Sequence, residues 1–189
     1  AATAAASSGT ASSSGTAVSS GTASSSGTAS SSGTARALSA TTPVLSGEAV
    51  LVICGSLHAA ARSQLDALMW AGATDMSDGI TECGRVAVLR SVSPSSAVVD
   101  PTAAERVATE LATDAAALIA TERFGALLII GGDTAAAVLG DSPRIVGGTV
   151  APGMPWSRRV DGDGLLVITK AGGFGGPSTL VELLFGHPL

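Results

Sequence analysis

The chain is poor in the residues that carry most recognition chemistry. It has no tyrosine, three phenylalanines, two tryptophans and two histidines in 189 residues, and its only lysine is Lys170. Cys54 and Cys83 are too few and too far apart for a disulfide framework or a CxxC metal pair, and Cys54 ends an apolar run, as a small buried thiol would. Lys and Arg number 10 against 15 Asp and Glu, a net charge of −5. Proteins that track phosphate backbones carry a basic excess, so no nucleic-acid partner is expected. Apolar stretches such as Ala126 to Ile130 are strand-sized and far below the ~20 residues of a membrane helix, so no membrane partner is expected either. No basic segment followed by an apolar one directs secretion, which makes the cytoplasmic compartment the expectation. The chain opens without Met, as at a fragment boundary.

Between Ala1 and Ala35 there is no charge and no aromatic residue, only Ala, Ser, Gly and Thr with a single Val18. Units such as Ser12 to Ala17 and Ser24 to Ala29 repeat Ser-Ser-Ser-Gly-Thr-Ala. A solenoid rung needs a longer period with apolar positions that stack, and this unit has neither. Ordering each residue costs roughly 1–2 kcal/mol of backbone entropy, which no apolar face here offsets. Residues 1–44 are therefore expected to form a disordered low-complexity linker, and 45–189 the folded domain.

Apart from Arg36, charges appear only after Pro43, and apolar residues gather into short blocks between Gly, Pro, Asp and Ser. Ala49 to Cys54, Val86 to Leu89, Ala126 to Ile130, Arg144 to Val150 and Leu165 to Thr169 have strand length, and helical spacing is expected over Ala59 to Ala71, Pro101 to Arg123, Ala135 to Leu139 and Ser178 to Leu184. Such alternation predicts an α/β fold, a largely parallel sheet with helices on both faces.

The glycines fall where strands end: Gly55-Ser56, Gly131-Gly132-Asp133-Thr134 and Gly172-Gly173-Phe174-Gly175-Gly176. In an open α/β sheet, ligands bind outside these carboxyl ends. Glycine lets backbone approach a phosphate, and a following helix N-terminus adds free N–H groups and partial positive charge. A tight backbone path alone would also use glycine, but two double-glycine turns on separate strands are expected to converge on one rim. Neither turn matches GxxxxGK[ST] or GxGxxG, which disfavours a NAD-linked domain. Lys170 stands beside the last turn, either as a point charge for a phosphate nest or as a solvated strand-end lysine. Asp133 suits Mg²⁺ held with phosphate oxygens, or a helix cap. Pro152, Gly153, Met154, Pro155 and Trp156 form a rigid loop, with Trp156 either walling a base pocket or anchoring the loop to the surface. Asp161 to Gly164 is a turn rather than a calcium loop. His58 and His187 are isolated from each other and from any Cys or Asp set, so neither a zinc site nor a triad is indicated, and no catalytic residue or metal ligand is assigned.

With Cys54-Gly55-Ser56-Leu57-His58, Ile130 to Thr134, Ala151 to Trp156 and Thr169 to Gly176 in this order, the chain resembles the C-terminal nucleotide-binding domain of the four-carbon acid sugar kinase family from about Glu48 onward. The resemblance implies a two-domain enzyme that phosphorylates threonate, erythronate or related sugar acids with ATP and Mg²⁺, the other domain holding the sugar acid and the catalytic carboxylate. Carried over, it implies that Ser56, Gly131, Gly132, Asp133, Thr134, Gly172 and Gly173 contact ATP, and that the Pro152 to Pro155 loop, with Gly153, shapes the nucleotide pocket. The family often has Glu where Thr149 stands, Thr where Ala61 stands and Asn where Gly173 stands. With no substrate domain before Glu48, the isolated chain is expected to bind ATP or ADP but to show little kinase activity. The alternative is a non-catalytic ligand-binding or regulatory module of the same fold.

Overall fold

The computed structural model describes residues 45, 47–79, 82–91, 101–121, 123–160 and 164–186, with backbone only over 101–104. The linker expected over 1–44, the turn at 161–163 and His187 lie outside the described residues.

Seven strands form one sheet in the order β2-β3-β1-β4-β7-β6-β5. The central strands β1 (Val50–Cys54), β3 (Val86–Arg90), β4 (Ala126–Ile130) and β7 (Leu166–Lys170) are parallel, with β2 (Thr74–Asp75) parallel to β3. The unbroken apolar runs of β1 and β4 follow from burial on both faces. Side chains alternate along each strand. Val52, Leu128 and Ile168 pack on one face against α1 (Ala59–Trp70) and α4 (Thr179–Phe185), whereas Ile53, Ile129 and Val167 lie on the other, in the core that Leu111 and Ala115 of α2 (Pro101–Ile119) complete. α3 (Gly132–Leu139) follows β4 directly.

Local signals account for the boundaries. α1 stops because Gly72, at φ +100°, takes the left-handed position after the last turn, where Gly72 N–H donates to Met69 O and Ala73 N–H to Leu68 O. α2 ends at Ile119 rather than Arg123, since Thr121 closes a turn onto Leu118 O through both its N–H and its hydroxyl. Sequence periodicity does not anticipate two strands, β2 and β6 (Met154–Arg159). The segment expected as a loop around Trp156 is instead half of an antiparallel hairpin with β5 (Arg144–Ala151), and β6 runs antiparallel to β7. Two prolines and a glycine hide the strand, but Pro152 and Gly153 supply the hairpin turn, with Gly153 at φ +71°.

Candidate functional site at the carboxyl rim of the sheet

The register of the parallel strands brings their ends level. Cys54 pairs with Ile130, and Ile130 with Lys170, so the turns after β1, β4 and β7 leave one edge side by side. The chain runs from β1 to β3 on one side through α1, then crosses through α2 to β4 on the other. Strand order therefore reverses at β1, which opens a crevice at the carboxyl ends. Gly131 N–H donates to Lys170 O at 3.0 Å, tying the second turn to the third, so the expected convergence of the Gly131 and Gly172 segments is observed.

Ser56 is the hub. A Cβ at Gly172 would overlap Ser56 Oγ, and one at Gly131 would lie 3.6 Å from Ser56 N and 3.1 Å from Thr134 Oγ1. A Cβ at Gly55 would overlap Thr134 Oγ1, which explains why Thr134 is buried: its side chain wedges between the first two turns. Ser56 Oγ accepts from His58 N–H at 3.3 Å, which leaves its hydroxyl hydrogen available to an acceptor.

Two helices begin at this rim. α3 starts at Gly132 after Gly131, at φ +114°, so the N–H groups of Gly132, Asp133 and Thr134 have no partner within the helix and carry its partial positive charge. The cap role considered for Asp133 is not what the backbone adopts: Gly131 is the N-cap, no side chain caps the helix, and Asp133 stands exposed in the first turn. α1 is capped by His58, whose Nδ1 accepts from Ala60 N–H at 3.1 Å. With Nδ1 so used, the neutral ring carries its proton on Nε2, 3.2 Å from where a Gly173 Cβ would be. His58 thus belongs to the rim although sequence spacing isolates it, because histidine is not among the usual capping residues that mark a helix start.

Lys170 is not a solvated strand-end lysine. It is 3% exposed, its Nζ donates to Ala171 O at 2.9 Å, and burial pushes its ammonium pKa down. Beside it, burial pushes the Cys54 thiol up. Gln64 is a further residue of the site that sequence reading passes over. It lies fully buried on α1, and its Nε2 donates to Phe174 O at 2.8 Å and Gly176 O at 2.9 Å, across more than a hundred residues. A polar residue in an amphipathic helix looks solvent-facing until the partner that folds over it is known.

The hairpin turn reaches the same rim. A Cβ at Gly153 would lie 2.7 Å from the Phe174 ring, so Gly153 packs on the third turn, while Pro152 stays exposed at the tip. Trp156 neither lines this pocket nor lies on the surface. It is buried in the core, and Gly147 leaves the room its indole occupies. Between β1 and β3 the rim opens into a cleft of about 230 Å³ that includes Ser56, Arg62, Arg90 and Ser91. Among the described residues, no three His, Cys, Asp or Glu side chains group as a metal site, and no helix is long and apolar enough to cross a membrane.

Comparison with known proteins agrees with this architecture. The family described as nucleotide-binding C-terminal domain matches residues 80–180. The D-threonate kinase of Salmonella typhimurium is 41% identical over 86 residues, which are 43% of this chain and 20% of the kinase. The chain therefore spans about a fifth of the length of that curated relative. The crystal structure of a DUF1537 protein from Bordetella bronchiseptica, a domain-swapped dimer with bound citrate, is 29% identical with a TM-score of 0.60, covering 71% of this chain and 39% of that one. A Haemophilus influenzae DUF1537 protein, 21% identical with a TM-score of 0.54 over 79% of this chain and 42% of its own, shares the fold. The chain belongs to the family of nucleotide-binding C-terminal domains, that of the four-carbon acid sugar kinases which its glycine-rich segments resemble.

Proposed function

We propose that this chain is the nucleotide-holding part of an ATP-dependent kinase for four-carbon sugar acids of the threonate or erythronate type, acting with a substrate domain that supplies the acceptor and its base. The observation that carries the reading is the meeting of three strand-end turns around Ser56. Phosphoryl transfer depends on positioning and on stabilising charge rather than on covalent chemistry by the protein. This rim has the parts for the phosphate side of that work. The amides of Gly132 to Thr134 lie at a helix N-terminus, Ser56 has a free hydroxyl hydrogen, and the Gly172-Gly173 turn lies against them. Asp133, exposed in the first turn of α3, is the carboxylate suited to Mg²⁺ bound together with phosphate oxygens. Pro152 and Gly153, resting on Phe174, bound the nucleotide pocket on the hairpin side.

Calorimetry of the chain with ATP and Mg²⁺ tests the reading. Saturable heat with a dissociation constant below about 1 mM, roughly −4 kcal/mol of binding free energy, is expected. No heat at millimolar nucleotide overturns it in favour of a non-catalytic module. A coupled assay with ATP and threonate or erythronate is expected to show little turnover by this chain alone.

A further inference from the structure

Gln64, Thr134 and Lys170 are the buried polar side chains among the described residues, and two of them, Gln64 and Lys170, end on the same stretch of backbone. Gln64 reaches from α1 to the carbonyls of Phe174 and Gly176, and Lys170, the last residue of β7, reaches the carbonyl of Ala171. Burying an amide or an ammonium is costly unless it is hydrogen-bonded; here the donors, Gln64 Nε2 and Lys170 Nζ, are bonded to backbone oxygens rather than to carboxylates, while Gln64 Oε1 is buried with no partner among the described residues. Among the described residues, Lys170 forms no ion pair. Three carbonyls of a six-residue turn are thus held by side chains, two of them together with a local backbone bond: Ala171 O also accepts from Phe174 N–H and Gly176 O from Thr179 N–H, each at 3.2 Å.

Peptide geometry turns that into a statement about the outer side. In a planar trans unit the C=O and the N–H point in opposite directions. Holding Ala171 O inward therefore sends the Gly172 N–H outward, and holding Phe174 O inward does the same for the Gly175 N–H. The third unit ends at Pro177, which has no N–H, so only its carbonyl needs a partner. Gly175 takes φ +80°, and a Cβ there would meet Gln64 Nε2 at 3.1 Å and Thr179 Oγ1 at 2.8 Å, so glycine is required for the clamp to close. Outward amides from one turn make an anion-binding concavity, with the Lys170 charge behind it.

We propose that Gln64 and Lys170 are positioning residues of the nucleotide site: by holding the carbonyls of Ala171, Phe174 and Gly176 inward, they aim the Gly172 and Gly175 amides at the phosphates. Lys170 so acts through the backbone instead of touching the nucleotide. This rests on the nucleotide reading above and goes beyond it by assigning a separate amide to each anchor.

The test is an amide-resolved NMR titration of the full chain with ATP and Mg²⁺, for the wild type, Gln64→Met and Lys170→Met. In the wild type, the Gly172 and Gly175 resonances move on saturation. Gln64→Met is expected to remove the Gly175 response and keep that of Gly172, Lys170→Met to do the reverse, and each to weaken affinity by about tenfold with core amide protection unchanged. A purely structural role would weaken both responses together, and that outcome overturns the proposal. Should the variants fail to fold, the wild type alone decides. If Ser56 and Gly132 respond to ATP while Gly172 and Gly175 stay silent, the anchor proposal is wrong and the nucleotide reading stands. If no amide responds and no heat appears, both fall.

Discussion

The two ends of this sheet have the same strands and opposite chemistry. At the amino end, a cavity of about 430 Å³ is lined by Glu48, Ile119, Phe124, Gly125, Arg158 and Leu165, among others, and is larger than the cleft beside Ser56. Its backbone groups are occupied, with Gly125 N–H donating to Ala49 O and Gly125 O accepting from Leu166 N–H; Arg158 donates to Gly164 O, and the Glu48 carboxylate brings negative charge. Ile119, the last residue of α2, brings a helix C-terminus with its partial negative charge. The carboxyl end instead receives the starts of α1 and α3 and three glycine turns. Strand direction, not cavity size, decides which end can hold a phosphate, because in a parallel sheet every crossover helix begins at the carboxyl rim.

Glycine substitutions at the two ends should break or sharpen that contrast, and the largest effect is expected at the rim. Gly172→Ala drives a Cβ into Ser56 Oγ and to 3.0 Å from Ser56 Cβ. Overpacking of this kind costs about 1–3 kcal/mol, so nucleotide affinity by calorimetry should fall by about tenfold or more. Gly125→Ala at the amino end would meet Glu48, with Cδ at 2.7 Å and Cβ at 3.0 Å; the carboxylate can swing away, and the remaining Cβ contact costs stability at the end of the sheet away from Ser56. Affinity should then equal that of the wild type, and an equal loss in both variants would abolish the distinction between the ends.

A smaller effect is expected from Ser56→Ala. It removes one hydroxyl donor and the acceptor of His58 N–H, and a hydrogen bond of this class contributes about 0.5–1.5 kcal/mol. Affinity should drop severalfold while the thermal midpoint stays within a few degrees; an unchanged dissociation constant would take Ser56 out of the site.

The smallest effect concerns the β2 edge. For Asp75, burial raises the carboxyl pKa, but hydrogen bonds from Ser77 and Arg90 outweigh it, and the result lies below the usual value. A depressed carboxyl contributes stability above its unfolded pKa, about 3.9, and loses it as pH falls through the lower folded value. Because the pair is partly exposed, the loss should be at most about 1 kcal/mol. Thermal melts at decreasing pH should show it in the wild type and less steeply in Asp75→Asn. Parallel curves would show that the pair contributes nothing.

How much of the site was readable depends on whether a residue's partner is near in sequence. Gly131 and Gly172 stand out because strand, turn and helix follow one another along the chain, and a parallel sheet must then bring such turns to one rim. Gln64 does not stand out, since it acts on a glycine turn more than a hundred residues away, and the place of His58 at the rim does not, since a histidine cap is not a usual helix-start signal. Lys170 stands out for its charge, but its direction is open in the sequence: whether a strand-end side chain points to solvent or to the core depends on what covers that face. Trp156 and β6 were hidden for the same reason, their prolines suggesting a loop until β7 offered an edge to pair with.

Composition and the order of apolar blocks and glycines by themselves determined the α/β class, the parallel core and the rim where the glycine turns meet, because these follow from local propensity and chain direction. Only the tertiary structure decided which carbonyls face inward, which amides face out and that Ser56 stands where three turns meet. Those orientations are set by hydrogen bonds between segments distant in the chain, and no local pattern of residues encodes them.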